Sequence, residues 1–154
     1  MRLYPPVILL LFALAMFALD RWLPIAQLVP GPLRPVGFLV MAAGLAFIVY
    51  CRALFMRHHT PIKPFEISNA LILVGPYRYT RNPIYLAMVL SLLGVAWALG
   101  SLSPLALVPI FAWILASRFI VREEAMLRAR FGAEYDAYCR TVGRWWGRRA
   151  PSPA

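Results

Sequence analysis

Charge is scarce in this chain, and acid is scarcer still. Only 14% of the 154 residues are charged, and 6 Asp and Glu stand against 16 Lys and Arg. Residues 3–19, 35–51 and 82–117 carry no charge at all. A soluble domain of this length does not leave such stretches bare, whereas a membrane protein does. Hydrophobic residues make up 62% of the chain, with a mean hydropathy of +0.69. Cysteine is limited to Cys51 and Cys139, one closing an apolar run and one in a polar segment, which excludes a disulfide framework. The two histidines, His58 and His59, are adjacent and would point apart on any regular element. No Cys or His stands near them at ligand spacing, so no metal site is assigned. No small-residue cleavage site follows the first apolar run; Asp20-Arg21-Trp22 does, so the run is a retained span rather than a signal peptide. A net charge of +10 would suggest nucleic acid in a soluble protein. Beside apolar runs it suggests loops facing anionic lipid, and no nucleic-acid partner is expected.

The bare stretches define one membrane domain over residues 1–154 with four spans, at about 3–19, 35–51, 83–99 and 104–119. The 36 uncharged residues 82–117 are too many for one span. At about 1.5 Å per residue they would overrun a hydrocarbon core of about 30 Å. Gly100-Ser101-Leu102-Ser103-Pro104 supplies the break, so the run is expected to be a tight helical hairpin. With four spans both termini share a side. Only Arg21 and Arg34 of the 16 basic residues then lie opposite, and the basic side is cytoplasmic. Trp22, Trp97, Trp113, Trp145 and Trp146 mostly fall near span ends, where interfacial anchors sit.

Two polar segments remain on that side. Residues 57–81 contain Pro61, Pro64 and Pro76 and are expected to form a structured loop, with a brief extended piece at 71–74. Further on, Leu127, Phe131, Tyr135, Tyr138 and Val142 recur at helical spacing. Gly132 divides this stripe, so two amphipathic helices are expected within about 120–146. Standing alone, they could equally lie on the lipid surface.

Chemistry is concentrated where polar segments meet apolar spans. Residues 75–85 read Gly-Pro-Tyr-Arg-Tyr-Thr-Arg-Asn-Pro-Ile-Tyr. Gly75-Pro76 signals a turn, and Asn82-Pro83 reads as an N-cap and first helical residue. A helix start beside Arg78 and Arg81 suits a carboxylate or phosphate. Tyr77, Tyr79 and Tyr85 offer aromatic faces for a cation or a purine. A capped span with snorkelling arginines and interfacial tyrosines explains the same residues. Glu123 and Glu124 follow the last span by about one turn. Helical neighbours point about 100° apart, so the two cannot face one target. One is expected to pair with Arg122 or Arg128, the other to face inward toward Arg78, Arg81 or a ligand's ammonium; a solvated surface pair is the plainer alternative.

The two segments together resemble the isoprenylcysteine carboxyl methyltransferase and phospholipid methyltransferase superfamily, in its bacterial members. Gly75-Pro76-Tyr77 followed by Arg81-Asn82-Pro83-Ile84-Tyr85 is similar to its signature R-[HN]-P-x-Y-x-G after G-P-Y. Glu123-Glu124, Leu127, Phe131-Gly132, Glu134-Tyr135, Tyr138 and Arg144-Trp145 resemble the second signature, and Thr60-Pro61 with Pro64 the loop before the first. The likeness covers about residues 60–146. Two departures stand out: Asn82 replaces the signature His and cannot titrate near neutrality, and Ala87 replaces the signature Gly.

The resemblance implies an integral membrane enzyme, expected in a bacterial inner membrane, that binds S-adenosylmethionine from the cytosol and releases S-adenosylhomocysteine. It implies a cofactor pocket lined by Tyr77, Arg81, Asn82, Pro83 and Tyr85, with Glu123 or Glu124 on the cofactor's ammonium. It implies a lipophilic or lipid acceptor entering from the bilayer, a carboxylate first, with Arg81, Glu124 and Arg144 as the groups nearest the chemistry. A phospholipid amine or small thiol is the alternative acceptor. A non-enzymatic four-span accessory protein is the alternative altogether.

Overall fold

The computed structural model describes residues 4–57 and 71–147. Most of the 57–81 loop, with His58, His59, Thr60, Pro61 and Pro64, lies outside the described residues. The described residues form helices joined by turns and one isolated bridge between Gln27 and Ser101, so the all-helical expectation holds for them. The helices are α1 (Pro5–Trp22), α2 (Pro35–Arg57), α3 (Pro83–Leu99), α4 (Leu102–Leu115), α5 (Val121–Phe131) and α6 (Ala133–Thr141). The first three each begin at a proline, whose fixed φ suits the first helical position and whose missing N–H costs nothing there.

Three helical stretches are long and apolar enough to cross a membrane: Pro5–Trp22, Gly31–Arg57 and Leu102–Phe131. Helix α3 is equally apolar but has 17 residues. Only Gly100 and Ser101 separate it from α4. Gly100 turns the chain with φ 85°, a left-handed conformation open to glycine. Beyond α4 the helix continues past the span end expected near residue 119. A π-turn, Ala116–Ile120, carries α4 directly into α5, so the apolar and charged helices form one rod. The second amphipathic helix is present as α6, after the turn at Gly132. Residues 71–74 form no strand.

Helix α3 is the hub, with α2 along one side and α1 and α4 along another. Lipid tails are as apolar as leucine, so close packing rather than water exclusion must hold these helices together. The α2–α3 seam shows how. Ala87, Ser91, Gly94 and Ala98 share one face of α3 and meet Gly37, Met41 and Gly44 of α2. A Cβ on Gly37 would stand 2.5 Å from the Ala98 backbone nitrogen, and one on Gly94 2.5 Å from that of Met41. The two backbones touch, which only glycine permits. The opposite face of α3 holds the larger core: Met88 and Leu92 pack with Met16, Phe111, Leu115 and Ile120, and the Phe12 and Phe111 rings lie 5.2 Å apart.

Gly37→Ala forces backbone against backbone, so it should destabilise the protein in detergent by about 1–3 kcal/mol, the usual range for an overpacked core. Thermal unfolding checks this. A wild-type midpoint would mean that α2 and α3 are not in backbone contact.

Candidate functional site

The two polar segments meet at one end of the helical hub. Glu124, on the first turn of α5, is buried at 8% exposure. Its carboxylate accepts two hydrogen bonds from Arg144, from Nε at 3.1 Å and Nη2 at 2.6 Å, and pairs with Arg81 Nη2 at 3.1 Å. A buried carboxylate needs such partners, and here two guanidiniums from sequence-distant segments supply them. Glu123, one residue earlier, faces a different target. Its Oε1 accepts a 2.6 Å hydrogen bond from the Tyr85 hydroxyl on the first turn of α3. The angular offset between helical neighbours is thus used twice, and both glutamates are engaged.

The expected local pairs of these glutamates are corrected. Arg128 pairs with Asp136 at 2.8 Å rather than with Glu124. Arg78 stays exposed and lines an open groove of about 340 Å³ with Leu73, Glu134 and Tyr138. Arg81 makes the contact because it lies closest to the start of α3 and is drawn under the C-terminal segment.

That segment, residues 143–147, lies across the start of α3 as a strap. The Arg81 N–H donates to the Gly143 carbonyl at 3.0 Å, and the Gly147 N–H to the Tyr79 carbonyl at 2.9 Å. Asn82 occupies the expected N-cap position, but its side chain makes no capping bond. Its Nδ2 instead donates to the Arg144 carbonyl at 3.1 Å, beside a 3.2 Å bond from the Thr80 hydroxyl to the same oxygen. These two bonds hold the backbone from which Arg144 reaches Glu124. Thr80 escaped the sequence reading. A threonine between two signature positions carries no signal until its 2% exposure is known. Pro83 is buried as the first residue of α3. Trp145 is partly buried against the apolar core, whereas Trp146 is exposed, so only the second tryptophan is free to anchor at an interface.

Tyr77 sits one layer back. Its ring packs edge-on against Phe55 at 5.5 Å, and its carbonyl accepts a 2.6 Å bond from the Tyr138 hydroxyl. Burial first, with the nearby Glu123 charge among smaller causes, raises the Tyr77 phenol well above its ordinary value. It therefore stays protonated in neutral solution. The structure thus brings Arg81, Asn82, Tyr85, Glu123, Glu124 and Arg144 into one cluster, with Tyr77 behind them.

Apolar helices of membrane-crossing length that end in a shielded cluster of carboxylates and arginines define a class: a helical membrane protein with a polar site at the membrane edge. Comparison with known proteins narrows the class. The chain belongs to the phospholipid methyltransferase family, whose profile matches residues 33–134. It is also 28% identical over 107 residues to the Protein-S-isoprenylcysteine O-methyltransferase of Schizosaccharomyces pombe, a match covering 70% of this chain and 45% of the relative. The chain therefore spans about half the length of that relative.

Glu124→Ala leaves Arg81 buried without its anion and should cost about 3–5 kcal/mol. Arg144→Ala leaves Glu124 paired with Arg81 and should cost less. Denaturation in detergent ranks the two variants. Equal losses would contradict Glu124 as the centre of the cluster.

Proposed function

We propose that this protein is an S-adenosylmethionine-dependent methyltransferase acting on a small lipophilic acceptor at the polar end of a four-span bundle. The observation that carries the reading is the meeting of residues 77–85 with Glu123 and Glu124 across the mouth of the helices. Family membership supports it. The positive-inside distribution of basic residues supports a cytoplasmic site.

The residues fit the amino-acid end of such a cofactor. Arg81, Arg144 and Glu124 together carry one positive charge in excess, and Arg81 Nε is a buried donor that has no acceptor among the described residues. A carboxylate would complete it. Glu123 receives one hydrogen bond, at Oε1, and its other oxygen suits an ammonium group. In this assignment Glu124, saturated by two guanidiniums, ties the segments together, while Glu123 reads the cation and Arg81 the anion. Asn82 acts through the strap, and Tyr77, Pro83 and Tyr85 form the wall. Arg144, with 42% of its side chain exposed, remains available to an acceptor's carboxylate.

Bound there, the sulfonium supplies an electrophilic methyl group. A carboxylate acceptor aligned by these residues would take that methyl group as an ester, the departing thioether keeping the electron pair of the broken carbon–sulfur bond. No proton needs to move. The protein's part is alignment and shielding from water. The strap, with Trp145 in the core, covers the site on the side away from the helices. An oxygen acceptor accords with the name of the Schizosaccharomyces pombe relative. The family's description favours a second reading, a phospholipid amine, in which Glu123 would take the amine's proton. A thiol acceptor would react as its thiolate, with its proton released to water or to Glu123.

Calorimetric titration with S-adenosylhomocysteine should give saturable binding. Tyr85→Phe and Glu123→Gln should each weaken it about tenfold, the value of one hydrogen bond to a charged group. Wild-type affinity in both variants would place the cofactor elsewhere, and no binding to the parent protein would favour a non-enzymatic membrane subunit. Radiolabelled methyl transfer to membrane lipid extracts then separates the acceptors: base-labile product denotes an ester, base-stable product an amine or thiol.

A further inference from the structure

The end of the bundle opposite the site is built differently. Residues 22–33 contain no charged side chain; Trp22 closes α1, Gly31–Leu33 form one 3-10 turn leading into α2, and Pro24 and Pro30 keep the residues between from forming a regular helix. Trp22 is 79% exposed, and Leu23, Ile25, Leu28 and Leu33 are each at least half exposed. In water these side chains would form an apolar patch of the kind that marks an interaction surface.

The backbone of the same residues is turned inward. Leu28 and Val29 N–H groups donate to the Gly100 carbonyl at 2.8 and 3.1 Å. Leu102 N–H donates back to the carbonyls of Ile25 and Ala26 at 2.9 and 3.1 Å. The Ser103 hydroxyl donates to the Leu23 carbonyl at 2.6 Å, and Arg34 Nε to the Val29 carbonyl at 3.4 Å. Ala26 adopts φ 41°, which alanine resists, so these bonds impose the loop's shape. Apolar side chains outward and polar backbone inward is the arrangement an irregular segment needs beside lipid.

The length of α3 gives the depth. Its 17 residues rise about 25 Å at about 1.5 Å each, which falls about 5 Å short of a hydrocarbon core of about 30 Å. With its polar start at one surface, the Gly100–Ser101 turn stops short of the other. The loop bonded over that turn makes up the missing thickness.

We infer that residues 22–33 are a membrane-interface cap: their exposed apolar side chains sit at the boundary between headgroups and acyl chains, and their backbone seals the α3–α4 turn from lipid. The occupant of this surface is the phospholipid bilayer. The exposed Arg21 marks the water side. The inference rests on the membrane-spanning reading given above.

Site-directed spin labelling tests both separately. Leu28→Cys, in a Cys139→Ser background, is labelled and reconstituted in phosphatidylcholine–phosphatidylglycerol vesicles; Cys51 is fully buried, and the background protein itself checks that it stays unlabelled. Leu10→Cys, on the exposed face of α1, is the reference within a span. The cap requires the Leu28 label to collide with oxygen in preference to a water-soluble nickel chelate, as the Leu10 label does. Preference for the chelate at Leu28 alone overturns the cap and leaves the spans standing. Preference for the chelate at both positions overturns the spanning reading and the cap with it. Access to neither reagent at Leu28 overturns it in favour of a covering protein. Ile25→Cys reads the same surface if Leu28→Cys does not fold.

Discussion

One carboxylate ties this molecule's polar end together. Glu124 draws in Arg81, which precedes α3, and Arg144, which follows α6. Without it, two guanidiniums would face each other beside apolar helices. With it, three segments separated by 43 and 20 positions in the sequence converge, and the smaller bonds of the strap become possible. Tyr85 and Glu123 make their own pair alongside, so the cluster keeps an excess positive charge close to a separate negative one. That separation of signs, held at the edge of an apolar bundle, is what the proposed zwitterionic ligand would need.

The rest of the fold serves to keep that edge in place. Helix α3 carries Tyr85 and is gripped on one side by backbone contact through Gly37 and Gly94, and on the other by the core around Leu92 and Phe111. A rigid α3 and a continuous α4–α5 rod are enough to fix the distance between Tyr85 and Glu123.

Much of this was legible beforehand because it rests on period and charge. The uncharged runs mark α1 to α4 within about four residues, except that α2 runs on past Cys51 to Arg57, and the Leu127–Val142 stripe marks α5 and α6. The convergence of residues 77–85 on Glu123 and Glu124 was legible because isolated charges beside apolar spans need partners. The particular partners were not. Local spacing suggested Arg128 for Glu124, whereas Asp136, eight residues along, takes Arg128 across the Gly132 turn. Asn82 read as a helix cap, but its side chain is held by a tertiary bond in which Nδ2 donates to the Arg144 carbonyl, and its Oδ1 caps no N–H of α3. Thr80 was passed over. Each miss is a choice between a near and a far partner, which spacing along the chain cannot decide.

The π-turn at Ala116–Ile120 has a further consequence. A π-turn holds one residue more than an α-turn, so everything after it is rotated by about 100° relative to a plain continuation of α4. That offset decides which of two adjacent glutamates meets Tyr85 and which meets the arginines. The turn therefore works as a reading frame: the same sequence wound as a plain α-helix from Trp113 to Val121 would keep the composition and hydrophobicity of the helix yet hand each glutamate the wrong neighbour.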